Sequence, residues 1–292
     1  MNYLSLLIIA GSVSGACAAE PAQAVEPETP MVEESNSDRV HLSIDLSFTN
    51  KYYFRGIIQE DNGFIFQPSV EVGFDFVEND NWSLSGYVGV WNSFHDEQTG
   101  STDADEFIAS WYEIDFYTGL SLSTGRLTTD LYYTSYTSPN DAFGRVDEIA
   151  VTVAWDDSGW IDQVTFSPYA TIAMEVGANQ ADGGTSLGTF LAVGVEPTHT
   201  YESTPIGDIT LSAPIEAGFS LSDYYEIAGD DESFGYFTAG LAASVPLPAP
   251  EGFGDWTFNV GIDYLLLGDS NKALNAGEDN EWIIHSGISF EF

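Results

Sequence analysis

The closing stretch of the sequence, EWIIHSGISFEF (281–292), decides the fold because apolar and polar residues alternate along it. One parity is apolar and consists of Trp282, Ile284, Ile288, Phe290 and Phe292. The other parity carries His285, Gly287, Ser289 and Glu291. A period of two is typical of a β-strand. Free termini are usually polar and frayed, so we expect a neighbouring strand to hold this segment and something to cover its apolar face.

The same alternation recurs along the chain from residue 39 onward. In 66–76, for example, Val70 and Val72 lie on one side of the strand, and Glu71 and Asp75 lie on the other. Each such segment is close to the ~9–11 residues that a tilted strand needs to cross a bilayer. About twelve segments follow the pattern, namely 41–48, 66–76, 82–90, 112–122, 127–133, 149–155, 164–176, 187–196, 209–221, 237–245, 256–266 and 281–292.

The connections between these segments alternate in length. Short ones are ENDN (78–81), TGR (124–126) and DDSGWID (156–162), whereas the longer ones, rich in Gly, Asp and Asn, are 51–63, 94–107, 138–145, 177–186, 223–233 and 268–280. Short turns at one end and long loops at the other are typical of outer-membrane barrels, whose long loops face outward. We therefore predict an all-β fold, a transmembrane antiparallel up-and-down β-barrel of about twelve strands, with short periplasmic turns and longer extracellular loops.

A soluble β-sandwich or jelly roll is the alternative, because its strands also alternate. Sandwiches rarely keep a polar opposite face on every strand, and they do not place long loops at one end. Aromatic residues at strand ends, among them Trp82, Trp256 and Trp282, fit the girdles of a membrane barrel. Closure would pair the last strand with the first and leave no edge. The terminal Phe292 also resembles the signature that the outer-membrane assembly machinery recognises, so we expect that machinery as a partner.

The chain is strongly acidic, with 46 acidic and 6 basic residues and a formal charge of −40. Nucleic acid is excluded as a partner, because phosphate contacts need Lys and Arg. Such acidity could indicate disorder, but 43% hydrophobic residues and abundant aromatics favour an ordered β protein. We expect cations to be attracted to this surface.

The first residues are predicted to lie outside the barrel. An apolar stretch from Leu4 to Val13 precedes Ala16-Cys17-Ala18 and is typical of a secretory signal peptide, although no positive charge precedes it. The alternative is a lipoprotein signal in which Cys17 is lipidated. A segment rich in Pro and Glu follows and is typical of a solvated linker. The predicted organisation is a signal peptide (1–18), an acidic linker (19–38) and an outer-membrane β-barrel (39–292).

The segment IDLSFTNKYYFRGIIQEDNGFIFQPSVEVGF (44–74) is similar to the amino-terminal signature of the TorF-like porins, outer-membrane proteins of proteobacteria. That signature has a strand, a Ser/Asn-x-Tyr-x-x-Arg-Gly block, a Ser-Gln or similar pair and a second strand. Here the block is supplied by Asn50, Tyr52 or Tyr53, Arg55 and Gly56, and the pair by Ile58, where the family often has Ser, and Gln59. The segments 86–93, 112–120 and 131–139 fit the following stretches. Ile58 and the high acidity depart from the family pattern. The resemblance implies a β-barrel with a pore and brings no substrate.

Carboxylates on the polar faces are the main functional signal. Charge on the lipid face costs ~2–4 kcal/mol for basic residues and less for acidic ones, so folding alone explains why these side chains point inward. Folding does not explain their sign, because a neutral lumen would fold equally well. An acidic lining predicts attraction of cations and exclusion of anions. The predicted lumen carboxylates are Asp45, Glu71, Asp75, Glu113, Asp115, Asp130, Glu175, Glu216, Asp263 and Glu291.

Two basic residues, Lys51 and Arg55, are predicted to face the lumen near the outer end of the first strand. They either form a structural pair with Glu71 or Glu113, or form a charged constriction in which Arg55 orients a solute. Inward aromatics are expected to fill part of the lumen, namely Trp91, Trp111, Tyr117, Tyr132, Tyr136 and Tyr169.

Catalysis is not predicted. Barrel hydrolases need a His with Asp or Ser in reach, and no G-x-S-x-G signature accompanies His41 and His285, which have lumen parity, or His95 and His199, which are predicted to lie in loops. Loop carboxylates lack the spacing of an EF-hand, so no metal and no cofactor are predicted.

The sequence therefore predicts a porin that passes small solutes or ions, preferably cations, by diffusion. The alternative is a plugged barrel with a structural or surface-binding role. The expected partners are outer-membrane lipid and lipopolysaccharide, the assembly machinery that recognises Phe292, and small solutes or cations.

Overall fold

The computed structural model describes residues 39–96, 106–204, 207–250 and 252–292. The predicted signal peptide, the linker and Cys17 lie outside these residues. Among the helices in the described part of the chain, none is long and apolar enough to cross a membrane.

Nearly all regular structure is antiparallel β-sheet. The elements are β1 (Val40–Thr49), β2 (Tyr52–Phe54), β3 (Ile57–Glu60), β4 (Ile65–Glu78), β5 (Trp82–His95), α1 (Glu106–Ser110), β6 (Trp111–Thr124), β7 (Leu127–Thr137), β8 (Val146–Trp155), β9 (Tyr169–Glu175), β10 (Thr189–Val195), β11 (Thr198–Thr204), β12 (Gly207–Ser212), β13 (Ile215–Ser222), β14 (Glu226–Ile227), β15 (Asp230–Asp231), β16 (Phe234–Leu247), β17 (Asp255–Leu267), α2 (Asp269–Leu274) and β18 (Asn280–Glu291).

Twelve strands form the closed wall when a strand that is interrupted at a proline is counted once. Two of the strands are interrupted in this way. β10 and β11 follow one another across Pro197, and β12 and β13 follow one another across Pro214, with β10 paired to β13 and β11 paired to β12. Proline lacks the N–H that a sheet ladder needs, so the break divides each strand without ending it. The predicted segment 209–221 is therefore one wall strand in two pieces.

The wall closes as the sequence predicts. β16 pairs with β17, β17 with β18, and β18 with β1. At the end of the chain, the N–H of Phe292 donates to the carbonyl of Leu42 at 2.9 Å, and the N–H of Leu42 donates to the carbonyl of Phe292 at 2.8 Å. The last strand is thus held by the first, and no edge remains there.

The outer face of the wall is apolar and the inner face is polar. Val70, Phe116, Leu120 and Leu131 are each about half exposed on the outside, whereas carboxylates and tyrosine hydroxyls point inward. A sandwich would bury its apolar faces between two sheets, so the sandwich alternative is wrong. The outer band has the composition that a bilayer requires of a barrel.

The connections after β4 and β6 are short as predicted, whereas the one between β8 and β9 is long. The turn between β8 and β9 runs over 156–168 rather than 156–162, and β9 begins at Tyr169 instead of residue 164. The buried carboxylate of Asp157 accepts the N–H of Phe166 at 2.9 Å and that of Ser167 at 2.9 Å. These bonds take the donors that a longer strand would use, and Pro168 has no N–H to offer.

Candidate functional site: an acidic lumen containing a hairpin

The chain turns into the barrel directly after β1. β2 and β3 form a two-stranded hairpin, which we call the lumen hairpin (52–60), with Arg55 and Gly56 as its two turn residues. Both have positive φ, 49° and 80°, as in the turns favoured in tight hairpins. A Cβ on Gly56 would lie 2.5 Å from Asn271 Nδ2 and 2.9 Å from Tyr236 Cβ. Glycine therefore permits both the turn and its close approach to the wall and to α2.

The hairpin buries its apolar side chains against the inner wall. Tyr52 and Phe54 are nearly inaccessible. The ring of Tyr52 lies 5.5 Å from that of Trp91 on β5, and the ring of Phe54 lies 5.1 Å from that of Tyr136 on β7. Since these partners belong to the wall, the hairpin lies within the barrel rather than above it.

Arg55, at the tip of the hairpin, is held by both charge and aromatic contacts. Its Nη1 donates to Glu148 Oε1 on β8 at 2.7 Å and to the Tyr224 hydroxyl at 2.6 Å. The guanidinium carbon lies 4.3 Å from the ring centroid of Phe190 on β10. Burial is the largest single influence and disfavours the charged guanidinium, but Glu148, Tyr224 and Tyr136 together raise the pKa of Arg55 well above its ordinary value. Arg55 is therefore charged and directly paired.

Two other extracellular connections lie over the hairpin tip. The carbonyl of Arg55 accepts the hydroxyl of Tyr225 at 2.9 Å and Asn271 Nδ2 of α2 at 3.3 Å. Lys51, just before the hairpin, donates to Glu281 at 2.5 Å. Three long loops are thus linked through one short segment.

The other end of the hairpin contacts a buried serine and histidine. His95 Nε2 lies 2.9 Å from Ser93 Oγ, His95 Nδ1 lies 3.8 Å from Glu60 Oε2, and the imidazole stacks on Tyr112 at 4.4 Å. The order Ser93, His95 and Glu60 resembles the nucleophile, base and acid of a catalytic triad. The Ser93 side chain is fully buried, and 3.8 Å is too long for a hydrogen bond, so the three side chains do not form a hydrogen-bonded triad.

Three sequence predictions about basic and histidine residues are wrong. Lys51 and Arg55 do not continue β1, which ends at Thr49, and their carboxylate partners are Glu281 and Glu148 instead of Glu71 or Glu113. The chain leaves the wall after Thr49, so strand parity no longer applies to it. His95 and His199 lie in β5 and β11, not in loops.

The structure places the predicted carboxylates along the inner parity of the wall, with different surroundings. Near the extracellular side, Glu175 accepts the N–H groups of Ala181 and Gly188, both at 2.6 Å, and holds the loop between β9 and β10. Glu216 accepts the hydroxyls of Tyr169 and Tyr236.

Deeper in the wall and at the periplasmic rim, the acids have different partners. Asp45 accepts the Ser289 hydroxyl at 2.8 Å, and Asp263 lies 3.2 Å from His285. Glu71 is partly buried and Asp130 is buried. Asp75 lies at the rim, 2.7 Å from the exposed His41, and Glu291 is exposed.

Glu113 and Asp115 are neighbours on one face of β6. Glu113 accepts the Tyr52 hydroxyl of the lumen hairpin at 2.9 Å. Both oxygens of Asp115 are buried and receive no hydrogen bond from the described residues. The structure thus brings these two acids next to the hairpin, whereas Asp75 and Glu291 lie far from it at the rim.

The sequence prediction omitted Glu148, the carboxylate that pairs with Arg55. Its parity is opposite to that of Ile149 and Val151 on β8, so strand parity could have identified it as a lumen residue. Its pairing with a side chain 93 positions earlier could not be read from parity.

The predicted inward aromatics are correct with one exception. Trp91, Tyr117, Tyr132 and Tyr136 are buried inside, and Tyr169 reaches the lumen acid Glu216. Trp111 lies outside instead, with its ring 5.7 Å from that of Phe94. A register shift between Ser93 and Phe94 adds one residue on β6 and moves Trp111 to the outer face.

One small cavity lies beside the hairpin. It has a volume of about 20 Å³, lies between the hairpin and the wall and is lined in part by Lys51, Tyr53, Thr238 and His285. This volume holds about one water molecule. Among the described residues, no group of three or more His, Cys, Asp or Glu side chains is arranged to hold a metal ion.

Solved structures share the barrel fold. The COG4313 outer membrane channel from Pseudomonas putida F1 matches with a TM-score of 0.50 and 9% identity, over 92% of this chain and 100% of that chain. LpxR from Salmonella typhimurium matches with a TM-score of 0.44 and 10% identity, over 85% and 99% of the two chains. The NanC porin structure matches with a TM-score of 0.41 and 13% identity, over 85% and 98%. At these identities the likeness to the COG4313 channel shows an outer-membrane barrel fold and nothing more specific.

Sequence comparison gives the family. A search of curated proteins returned no match. A family described as "Bacterial protein of unknown function (Gcw_chp)" matches residues 33–200, which is more than half of the chain. The chain belongs to this Gcw_chp family of bacterial proteins.

Proposed function

We propose that this protein is an outer-membrane channel that passes small solutes or ions by diffusion and prefers cations. In this proposal, signal peptide 1–18 directs its export, lipopolysaccharide and lipid surround the wall, and the assembly machinery recognises Phe292. The TorF-like resemblance of segment 44–74 points to the same channel function. The fold shared with the COG4313 outer membrane channel supports the proposal at the level of architecture.

The excess of carboxylates on the inner face is the observation that carries the cation preference. Arg55 and Lys51 neutralise Glu148 and Glu281, so the predicted lumen acids keep no basic partner from the hairpin. Asp115 and Asp130 each present a buried carboxylate oxygen that receives no hydrogen bond from the described residues. Charges in a narrow lumen with low-dielectric walls attract counter-ions strongly, and an acidic lining excludes anions.

The lumen hairpin supports a second candidate, a plugged barrel with a structural or surface-binding role. The hairpin is anchored by a buried ion pair and by aromatic contacts, and the cavity beside it is only about 20 Å³. In the channel proposal, the same hairpin forms the constriction, and solutes pass when it leaves its docked position.

Planar-bilayer recording separates the two candidates. The purified full chain, shown to be folded by heat-modifiable migration on a denaturing gel, is inserted into bilayers under a KCl gradient. We expect small stepwise currents whose reversal potential is shifted toward the equilibrium potential of K⁺. A shift toward the equilibrium potential of Cl⁻ contradicts the cation preference. Repeated insertion of folded protein without current supports the plugged barrel.

A further inference from the structure

Beside the lumen hairpin, two acids share a buried position without a basic partner. Glu113 and Asp115 are 4% and 1% exposed and lie two residues apart on the inner face of β6. Residues two apart on a strand point to the same side, so the two carboxyl groups follow one another on the wall of the lumen. Two carboxylates can only accept hydrogen bonds, so this arrangement requires a proton or a cation between them.

The two basic side chains at the hairpin pair with other carboxylates. Arg55 donates to Glu148 and Tyr224, and Lys51 donates to Glu281. The hydroxyl of Tyr52 satisfies one oxygen of Glu113, while both oxygens of Asp115 lack a donor among the described residues. An ionised carboxylate buried without a partner is strongly unfavourable, so Asp115 has to hold either a proton or a cation.

Aromatic side chains surround Asp115. In the strand register, it lies opposite Trp91 on β5 and Tyr136 on β7, and Tyr117 follows two residues later on the same face. Aromatic rings attract cations through their electron-rich faces. These rings are themselves buried in one packed cluster, so an occupant has to be small.

We propose that Glu113 and Asp115 bind one small monovalent inorganic cation of the Na⁺ or K⁺ class. A divalent ion is disfavoured because Ca²⁺ takes six to eight oxygen ligands, and no third acidic or histidine side chain in the described parts of the chain is arranged with the pair to hold a metal. The inference deepens the proposed function, since it names the ion and the site that it occupies beside the constriction.

The test is the dependence of thermal unfolding on Na⁺. The folded full chain in detergent is heated at pH 7 while NaCl replaces N-methylglucamine chloride at constant ionic strength, and loss of the heat-modifiable band gives the Tm. A ligand that binds only the folded state raises the Tm with concentration. We expect a rise of roughly 5 °C across a hundredfold range of Na⁺ for the wild type.

The variants assign the effect to the pair. Asp115→Asn and Glu113→Gln should each abolish the dependence of Tm on Na⁺, whatever they do to the Tm itself, and having two variants covers the failure of one to fold. Asp130→Asn is the matched control, because Asp130 is also a buried lumen acid with an oxygen that receives no hydrogen bond from the described residues. It should retain the full dependence.

Two outcomes overturn the inference. One is a Tm in wild type that is the same in Na⁺ and in N-methylglucamine but changes with pH, which assigns the position to a shared proton. The other is an Asp115→Asn variant that keeps the Na⁺ dependence. Conductance tests the channel separately. A barrel that does not conduct but has a Na⁺-dependent Tm supports the cation site and contradicts the channel. A barrel that conducts but has a Na⁺-independent Tm supports the channel and contradicts the cation site.

Discussion

Replacing Arg55 by alanine should release the lumen hairpin. In the wild type, Arg55 and Glu148 form an ion pair of 2.7 Å whose side chains are 10% and 2% exposed. Removing one partner of a buried pair costs about 3–5 kcal/mol, because the other charge stays buried and uncompensated. Glu148 would still accept the hydroxyls of Tyr136 at 2.9 Å and Tyr224 at 3.2 Å. These two donors favour the lower end of the range, about 3 kcal/mol.

The loss of the ion pair weakens the docking of the hairpin against the wall. Since 1.4 kcal/mol is a factor of ten, a loss of about 3 kcal/mol raises the ratio of undocked to docked hairpin roughly a hundredfold. The carbonyl of residue 55 would keep its bonds from Tyr225 and Asn271, so we expect partial and reversible opening rather than unfolding of the wall.

The assay is single-channel recording of Arg55→Ala beside the wild type. We expect larger or more frequent conducting steps in the variant. Arg145→Ala is the control, because it removes the same charge from an ion pair of 2.8 Å in which Arg145 is 59% exposed, and exposed pairs contribute about 0–1 kcal/mol. Equal conductance of the two variants would refute the idea that the hairpin forms the constriction.

A double variant tests whether the hairpin opens in Arg55→Ala because the charge of Glu148 is left unpaired. Arg55→Ala combined with Glu148→Gln leaves no ionised group at this position, so it should recover part of the wild-type closure. The recovery is the coupling between the two residues in a double-mutant cycle. If the two changes add independently, the pair does not anchor the hairpin.

Three further changes test other parts of the structure. Gly56→Ala imposes a positive φ on a residue with a Cβ, at roughly 1–2 kcal/mol, and brings that Cβ against Asn271; trypsin should then cleave after residue 55, which the wild type resists. Asp157→Ala strands buried N–H groups of the turn between β8 and β9, which should lower stability by about 1–3 kcal/mol and reduce the Tm. Deleting Phe292 removes two backbone hydrogen bonds to Leu42; refolding in detergent should be nearly unchanged, while the folded fraction in the cell should fall.

Each of these has a result that contradicts it. Resistance of Gly56→Ala to trypsin would mean that the turn tolerates a side chain. An unchanged Tm in Asp157→Ala would mean that water satisfies the freed N–H groups. An equal loss of folding in detergent and in the cell would make Phe292 a purely structural residue, without recognition by the assembly machinery.

The wall could be predicted from the sequence because strand parity has one physical meaning throughout it. In a strand, alternate side chains point to opposite faces, so an acid opposite an outward residue such as Phe116 has to face the lumen. Within the closed barrel, a bulge such as the added residue that β6 carries opposite Ser93 and Phe94 is what reverses this. From the alternation, Asp115 and Asp130 could be placed inside before any contact was known.

The lumen hairpin could not be predicted in the same way. Its turn is Arg55-Gly56 rather than the Asn-Gly or Asp-Gly pairs that usually indicate a tight hairpin. Its partners Glu148 and Tyr224 lie 93 and 169 positions away, and no local period connects such positions. Trp111 was misplaced because a single added residue in β6 reverses the parity on one side of it.

The sign of the lumen charge links the position of the hairpin to the proposed selectivity. An acidic wall gives a buried guanidinium a carboxylate to pair with, so the same acidity on which the proposed cation preference rests also holds Arg55 against Glu148. The two effects differ in their response to salt. At 1 M salt the Debye length is about 3 Å, which screens the field that the solvated lumen acids exert on permeating ions, but it screens a buried contact much less. High salt should therefore weaken cation selectivity while leaving the hairpin docked. A hairpin released by salt alone would mean that solvent reaches the pair of Arg55 and Glu148.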